Sequence, residues 1–374
     1  MKTHIALVGG QPIPVYLGIK WSGALDKLIL VCSEQSKDEA ERLAICCQKI
    51  PHEIVFCNPV NLSEIEECAL QIKQAVGDGD VDLNLTSGTK PWTLVFYKVF
   101  STLPLSRFIM VDQNNRIQDL HTHEESYESI PTELRFLLYG AKLTKYTPFS
   151  DYTEEDKKVM QQVQKIRKRF FKAFNALTIG KQVESKVGEI QSEYDPSYVT
   201  WDDEDQWVRF SLYNKKSNYC EDFLLRSPHV KDIVFNSGWF ELKSAIALSK
   251  NKHAREIWLN CEFAAQDNLP KNELDIVIDM GKKLLCVECK TQVKDITAID
   301  KFHSAIKNFS GTSTKGLFLV NDIPSEKNHN YVHAVEKCKD NDILLYNFSI
   351  YDKGETKLSL NDMIDGELDK TNKR

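Results

Sequence analysis

The rhythm of apolar and polar positions is clearest in residues 1–145. Short runs rich in Val, Ile and Leu alternate there with longer stretches in which apolar residues recur at helical spacing. The runs predict five strands, at residues 4–10, 28–33, 53–58, 81–85 and 108–113. The longer stretches predict three helices, at residues 37–50, 63–76 and 91–102. Strands that alternate with helices predict an α/β fold with a mainly parallel, doubly wound sheet.

Small polar residues follow three of these strands, and such sheets bind ligands beyond the carboxyl ends of their strands. The residues concerned are Gly10, Gln11, Ser33, Thr86, Ser87, Gly88, Thr89 and Lys90. Pro91 suits the first turn of a helix, so backbone N–H groups and an ammonium converge near its start. We interpret this as an anion or phosphate site. The loop at residues 86–91 has the sequence of neither a Walker A loop nor a Rossmann fingerprint. The alternative interpretation of this loop is a plain strand–helix connection with polar capping residues.

In the middle of the chain, the alternation of short strands and helices gives way to one long predicted helix and a predicted hairpin. Residues 154–174 predict one long helix with an apolar face and many Lys and Arg residues. It is interpreted either as an amphipathic connector or as a basic wall beside a catalytic cleft. Residues 198–213 predict a β-hairpin around an acidic turn. The tryptophans of this hairpin either pack in the core or stack on unpaired bases.

Near the end of the chain, two apolar strands flank a predicted tight turn at Gly281-Lys282. The turn fixes the register so that Asp275 faces Glu288, with Cβ atoms roughly 5 Å apart. Lys290 lies on the same face as Glu288 because side chains alternate along a strand. Two close carboxylates repel each other, and a divalent cation removes that cost. The alternative interpretation of the Glu-x-Lys pattern is a solvated edge strand or an ion pair.

Composition sets the remaining bounds. A length of 374 residues favours two domains, and the hydrophobic content of 42% is ordinary for globular proteins. Ten cysteines with no signal peptide evident in the sequence predict free thiols in a reducing cytoplasm, and no apolar run is long enough to span a membrane. The net charge of −6 does not suggest general polyanion binding, so any attraction to nucleic acid must be local or metal-mediated.

The Asp275, Glu288 and Lys290 pattern resembles the PD-(D/E)XK nuclease superfamily. The resemblance covers about residues 225–322 and implies a restriction-endonuclease-like α/β domain. It implies that Asp275 and Glu288 hold Mn²⁺ or Mg²⁺, with the backbone carbonyl of Cys289 as a further ligand. Lys290 is then the residue that positions or helps to deprotonate the attacking water and stabilises the transition state. Residues 236–242 resemble the first helix of that fold, whose Glu241 is a weaker candidate for the catalytic site.

The loops of the first 145 residues resemble CARF domains of type III CRISPR defence proteins. Residues 86–90 match the Thr-Gly-Gly-Thr-Lys-like loop of that family, with Ser87 in place of the first glycine. The resemblance implies a homodimer that holds one cyclic oligoadenylate across its two-fold axis. An isologous dimer suits a two-fold ligand, because each half meets the same residues.

Both resemblances occur together in the CRISPR ancillary nucleases. We therefore expect a Rossmann-like CARF sensor at residues 1–145, a helical connector at 146–190 and a nuclease domain at 191–374. The expected activator is cyclic tetra-adenylate, and the expected substrate is single-stranded DNA, RNA or both, with duplex DNA also open. Two alternatives stand beside this reading: a constitutive restriction-like or repair nuclease, and a non-enzymatic nucleotide sensor.

Overall fold

The computed structural model describes residues 1–112, 114–181, 183–264, 273–281, 283–293, 295–310, 314–321, 329–352 and 358–372. Two compact units divide the chain. The first consists mainly of Met1–Leu143, and the second mainly of Thr144–Ile306 and Thr314–Asp369. None of the helices within the described ranges combines the length and the apolar character that crossing a membrane requires.

The first unit is built on a seven-stranded sheet of order β3-β2-β1-β4-β5-β6-β7. Its strands are β1 Lys2–Leu7, β2 Lys27–Cys32, β3 His52–Phe56, β4 Asp80–Asn84, β5 Ser106–Val111, β6 Arg116–Asp119 and β7 Glu125–Tyr127. Strands β1 to β5 pair in parallel, and β6 and β7 add antiparallel edge strands. The predicted α/β class with a mainly parallel sheet is confirmed.

Five helices cover this sheet: α1 Pro12–Trp21, α2 Lys37–Cys46, α3 Leu62–Val76, α4 Lys90–Phe100 and α5 Thr132–Leu138. Alternate strand residues point to opposite faces, and both faces are buried. Ile5 and Leu7 of β1 belong to the core that includes α3 and α4, whereas Ala6 and Val8 belong to the core that includes α1 and α2. Burial on both faces explains why the strands read as continuous apolar runs.

Helix α1 was not among the predicted helices. Its sequence begins with Pro12, has Pro14 in the first turn and is apolar almost throughout, so no helical period separates a polar from an apolar face. Proline is compatible with the first turn of a helix, where its missing N–H has no intrahelical partner. Six residues of the helix are buried, so packing rather than amphipathic pattern determines it.

The second unit contains a mixed six-stranded sheet of order β17-β16-β15-β14-β13-β8 and a four-stranded antiparallel sheet of order β12-β11-β10-β9. The strands are β8 Leu143–Pro148, β9 Val187–Gln191, β10 Tyr198–Asp202, β11 Trp207–Asn214, β12 Tyr219–Arg226, β13 Glu256–Phe263, β14 Glu273–Asp279, β15 Leu284–Lys290, β16 Thr314–Val320 and β17 Ile343–Asn347. The predicted hairpin at residues 198–213 corresponds to β10 and β11.

The helices of this unit are α6 Glu154–Arg169, α7 Phe171–Thr178, α8 Val230–Val234, α9 Gly238–Leu248, α10 Thr297–Ser310, α11 His329–Asp340, α12 Phe348–Asp352 and α13 Leu360–Asn372. The single helix predicted at residues 154–174 is wrong in one respect. The chain leaves helical geometry at Phe170, whose φ is −116° and ψ is 39°, and α7 then continues to Thr178. Apolar spacing persists across the break, so the pattern does not reveal it.

Candidate functional site

The β14–β15 hairpin has the register that the sequence predicts. Ile276 pairs with Val287, and Asp279 pairs with Leu284. The N–H of Met280 donates to the carbonyl of Lys283 over 2.9 Å, which closes the turn. Gly281 has a φ of +85°, a value that favours glycine, while Lys282 lies outside the described residues. The same register carried one pair further places Asp275 next to Glu288.

Three predicted site residues meet at the open end of this hairpin. Nζ of Lys290 lies 2.6 Å from Oε1 of Glu288 and 3.8 Å from Oδ2 of Asp275. The two carboxyl residues are buried, with 2% of Glu288 and 5% of Asp275 exposed, whereas 38% of the Lys290 side chain is exposed. The structure therefore places two buried carboxylates around one ammonium that reaches solvent.

Electrostatics hold Lys290 in its charged form. Burial lowers the pKa of Lys290, but the charges of Asp275 and Glu288 raise it by more, so that the net pKa lies above its ordinary value. The N–H of Cys289 donates to Oδ2 of Asp275 over 2.7 Å. A backbone donor to a carboxylate stabilises the ionised form and fixes its orientation.

Glu241 lies in the first turn of α9, which packs against β13, β14 and β15. Its charge raises the pKa of both Lys290 and Cys289, so it belongs to the same electrostatic neighbourhood. The helix does not start where the sequence suggested. Asn236 and Ser237 adopt left-handed backbone with φ of 49° and 74°, and α9 begins at Gly238.

The side chains of the cluster include few possible ligands for a divalent metal. No group of three His, Cys, Asp or Glu side chains arranged to hold a metal occurs in the described ranges. Mg²⁺, however, is commonly held by one or two protein carboxylates together with waters and substrate phosphate. Asp275 and Glu288 supply such a pair. The Cys289 thiol does not, because burial keeps its pKa well above the ordinary value and the thiol protonated.

A second group of predicted residues lies in the first unit, at the carboxyl ends of β1 and β4. These strands are neighbours at the point where the strand order reverses, which is where doubly wound sheets bind ligands. The loops after them touch. A Cβ atom on Gly9 would lie 2.0 Å from the carbonyl oxygen of Ser87, and Ser87 Oγ donates to the carbonyl of Gln11 over 3.0 Å. Only glycine at position 9 permits this approach.

Not every polar side chain of these loops faces a ligand. Thr86 Oγ1 donates to Asn84 Oδ1 over 2.6 Å and accepts the Val111 N–H. Thr89 caps α4, accepting from the Trp92 N–H, and donates to the carbonyl of Pro59. The two threonine hydroxyls therefore make hydrogen bonds within the fold.

The remaining predicted residues differ in exposure. Gly10, Gln11 and Lys90 are exposed, and Gly88 is half-buried. Lys90 is the first residue of α4, so its backbone lies in the turn whose N–H groups carry the positive end of the helix dipole. Ser33 is almost fully buried and caps the turn at Glu34–Ser36, with its N–H donating to Ser36 Oγ.

Two residues near these loops were not predicted. Asn84 at the end of β4 is fully buried and accepts hydrogen bonds from the N–H and the hydroxyl of Thr86. A polar residue closing an apolar strand was the available signal. The Tyr139 hydroxyl donates to Gln11 Oε1 over 3.1 Å. No local pattern could reveal that contact, because the two residues are 128 positions apart.

Known proteins resemble this chain in sequence over its first part and in fold. The Card1 CARF domain family matches residues 3–136. No curated protein sequence matches the chain.

Solved structures that share its fold include Can2, protein VC1899 and a type III CRISPR defence nuclease. Can2 from Sulfobacillus thermosulfidooxidans, solved in complex with cyclic tetra-adenylate, is 18% identical, with a TM-score of 0.63 over 92% of this chain and 95% of that one. Protein VC1899 from Vibrio cholerae is 14% identical, with a TM-score of 0.68 over 93% and 94%. A type III CRISPR defence DNA nuclease activated by cyclic oligoadenylate is 16% identical, with a TM-score of 0.50 over 87% of this chain and 47% of that one.

The expected resemblance to the CARF-containing CRISPR ancillary nucleases is thus confirmed for the fold of the chain, and residues 3–136 match the Card1 CARF domain family.

Proposed function

We propose that this protein is a nuclease of type III CRISPR defence that cyclic oligoadenylate activates. The observation that carries the proposal is the cluster of Asp275, Glu288 and Lys290 in a chain whose residues 3–136 match a CARF domain. Similarity of fold to Can2 with cyclic tetra-adenylate and to a cyclic oligoadenylate-activated DNA nuclease supports it.

The catalytic site would use Asp275 and Glu288 to hold Mn²⁺ or Mg²⁺, with the carbonyl of Cys289 as a further ligand. Such a metal, when bound, supplies Lewis-acid stabilisation of phosphate and a lower pKa for a bound water. The Cys289 N–H donates to Oδ2 of Asp275 and so restrains the carboxylate that would hold the metal. Glu241, nearby on α9, would act through a bound water rather than as a direct ligand.

Lys290 would act as a cation rather than as a base. Its pKa is raised by the neighbouring carboxylates, so it keeps its proton at neutral pH. A protonated ammonium positions the attacking water by hydrogen bonding and stabilises the negative charge that develops on the phosphorane oxygens. Its side chain is 38% exposed, so an incoming phosphate could reach the ammonium.

The sensor would use the paired loops of β1 and β4, with cyclic tetra-adenylate as the expected ligand. Two helix N-termini, those of α1 and α4, follow these loops and favour phosphate. A ring-shaped ligand with two-fold symmetry suits a homodimer of this chain. Exposed apolar residues beside and on α3 and α4, namely Val60, Leu62, Leu94 and Tyr97, support such a dimer because they would otherwise stay in water.

Activation requires that the ligand bind the active arrangement more tightly than the inactive one. The test is cleavage of labelled single-stranded DNA and RNA with Mn²⁺, with and without cyclic tetra-adenylate. Glu288→Gln serves as the inactive variant, because it keeps the shape of the side chain and removes its charge. Glu262→Gln, on the exposed side of β13, serves as the matched control.

We expect cutting only with the ligand and only in the wild type and the control. Equal cutting with and without ligand would instead support a constitutive nuclease. Ligand binding with no cutting of any nucleic acid, duplex DNA included, would support a non-enzymatic sensor. Unchanged cutting by Glu288→Gln would place the active site elsewhere.

A further inference from the structure

A groove of about 600 Å³ lies in the second unit. Its lining residues fall between Arg169 and Lys216 and include none of the carboxylate cluster. One wall is the joint between α6 and α7, with Arg169, Phe171 and Lys172. The other wall is the end of β11 and the turn after it, with Tyr213, Lys215 and Lys216. A groove of this size accommodates a ligand of nucleotide dimensions.

The charge of the groove is opposite to that of the chain. Four basic side chains and one carboxylate, Asp195, line it, in a protein with a formal charge of −6. Arg169 pairs with Glu221. In the part of the chain that the structure describes, the ammonium groups of Lys172, Lys215 and Lys216 have no carboxylate partner. Three uncompensated cations on facing walls attract a polyanion.

The walls are held in place by shared contacts. Glu221 of β12 binds the Arg169 guanidinium, and Asn214 Nδ2 donates to the same carboxylate oxygen over 2.9 Å. The Tyr213 hydroxyl donates to Asn218 Oδ1 over 2.6 Å, which fixes the turn that carries the lysines. The groove is therefore preformed, so a ligand would not have to pay for ordering both walls.

An exposed aromatic side chain in the groove favours a single strand of nucleic acid over other polyanions. Phe171 is 40% exposed at the lip of the groove, although its neighbours Phe170 and Phe174 are buried. Exposed aromatic rings between basic side chains are typical of single-strand binding surfaces, where bases stack on the rings and phosphates meet the cations. A base pair has no free face for such stacking except at a duplex end.

We propose that this groove binds an unpaired nucleic-acid strand and that it is a substrate-guiding surface of the nuclease. The proposal rests on the function proposed above. The packing of α6 against α9, the helix that carries Glu241, connects the groove with the carboxylate cluster within one unit. Lys172, Lys215 and Lys216 contact phosphates. A base stacks on the face of the Phe171 ring opposite the Arg167 guanidinium, which lies 4.8 Å from the ring centroid.

The test is fluorescence anisotropy of the full-length protein with labelled single-stranded DNA and RNA in EDTA, which prevents metal-dependent cleavage. Three variants are compared with the wild type: Lys172→Ala/Lys215→Ala/Lys216→Ala, Phe171→Leu, and the control Lys250→Ala/Lys252→Ala. The control removes exposed lysines that do not line the groove. Thermal unfolding of each variant verifies that the fold is retained.

The triple variant is expected to raise the Kd at least about tenfold at low salt and to lower the slope of log K against log salt by about 2, at roughly 0.7 per lost contact. Phe171→Leu should raise the Kd at least about fivefold and leave the salt slope unchanged, because stacking is not ionic. The control should bind as the wild type does.

Wild-type binding by the triple variant would overturn the proposal, and so would an equal loss in the control. Polyglutamate that competes as well as the oligonucleotide would mean an acidic protein partner instead. The anisotropy measurement needs no cleavage. Binding that depends on the groove, in a protein without nuclease activity, would therefore contradict the proposed function and still support strand binding by the groove.

Discussion

Nζ of Lys290 lies 2.6 Å from Oε1 of Glu288, one of the two carboxylates that would hold the proposed metal. A carboxylate that is 98% buried is costly unless a positive charge compensates it. Without metal, the ammonium is that charge. Lys290 and a bound metal ion would therefore compensate the same carboxylates, so a metal ion should stabilise the protein more once the lysine is removed.

The first prediction concerns stability. Lys290→Met should lower the free energy of unfolding in EDTA by about 1–2 kcal/mol, less than for a fully buried pair because the lysine reaches solvent. Mn²⁺ should then stabilise the variant more than the wild type. Urea denaturation with and without Mn²⁺ measures both effects, with Lys252→Met as the control. Equal Mn²⁺ stabilisation of wild type and variant would argue against a shared site.

The second prediction follows from the pKa of Lys290, which the carboxylates raise above its ordinary value. A raised pKa contributes stability fully below the unfolded value of about 10.4 and loses it as pH rises further. The wild type should therefore lose stability more steeply than Lys290→Met above that pH. Thermal unfolding across the alkaline range measures the difference between the two proteins. Parallel curves would be the contradicting result.

The third prediction tests the contact between the two ligand loops. Gly9→Ala would place Cβ against the Ser87 carbonyl oxygen, so the loops must separate at a cost of about 1–3 kcal/mol. Gly10→Ala meets no atom within 4 Å and is the matched control for stability. Calorimetry should show weaker binding of cyclic tetra-adenylate by Gly9→Ala. Unchanged affinity and stability in that variant would exclude the proposed role of the loop pair.

The fourth prediction separates Glu241 from the direct ligands. Glu241→Gln should raise the Mn²⁺ concentration needed for half-maximal cleavage by about 10-fold, as expected for a group that acts through bound water. The maximal rate at saturating Mn²⁺ should change little. Cleavage measured across a Mn²⁺ titration tests this, beside Glu262→Gln. Complete loss of activity at all Mn²⁺ concentrations would instead make Glu241 an indispensable catalytic group.

The sequence predicted the parts of the molecule that local rules determine. The pairing of Ile276 with Val287 follows from a two-residue turn, and the parallel sheet follows from the alternation of strands and helices. The break at Phe170 was not predictable, because packing rather than apolar period decides it. The contact of Tyr139 with Gln11 depends on the folded chain, as does the meeting of Lys172 with Lys215 and Lys216 across the groove.

The tight turn between β14 and β15 also limits which insertions the amino-acid sequence can accept at this point. Side chains alternate along a strand, so a slip of one position turns every residue to the opposite face. A single insertion between Met280 and Lys283 that shifted the pairing by one position would keep both strands and all three site residues, yet it would move Asp275 and Glu288 to opposite faces of the sheet. A change in the length of this turn that shifts the pairing would therefore disrupt the site, and within the turn Gly281 is also restricted, because its φ is +85°.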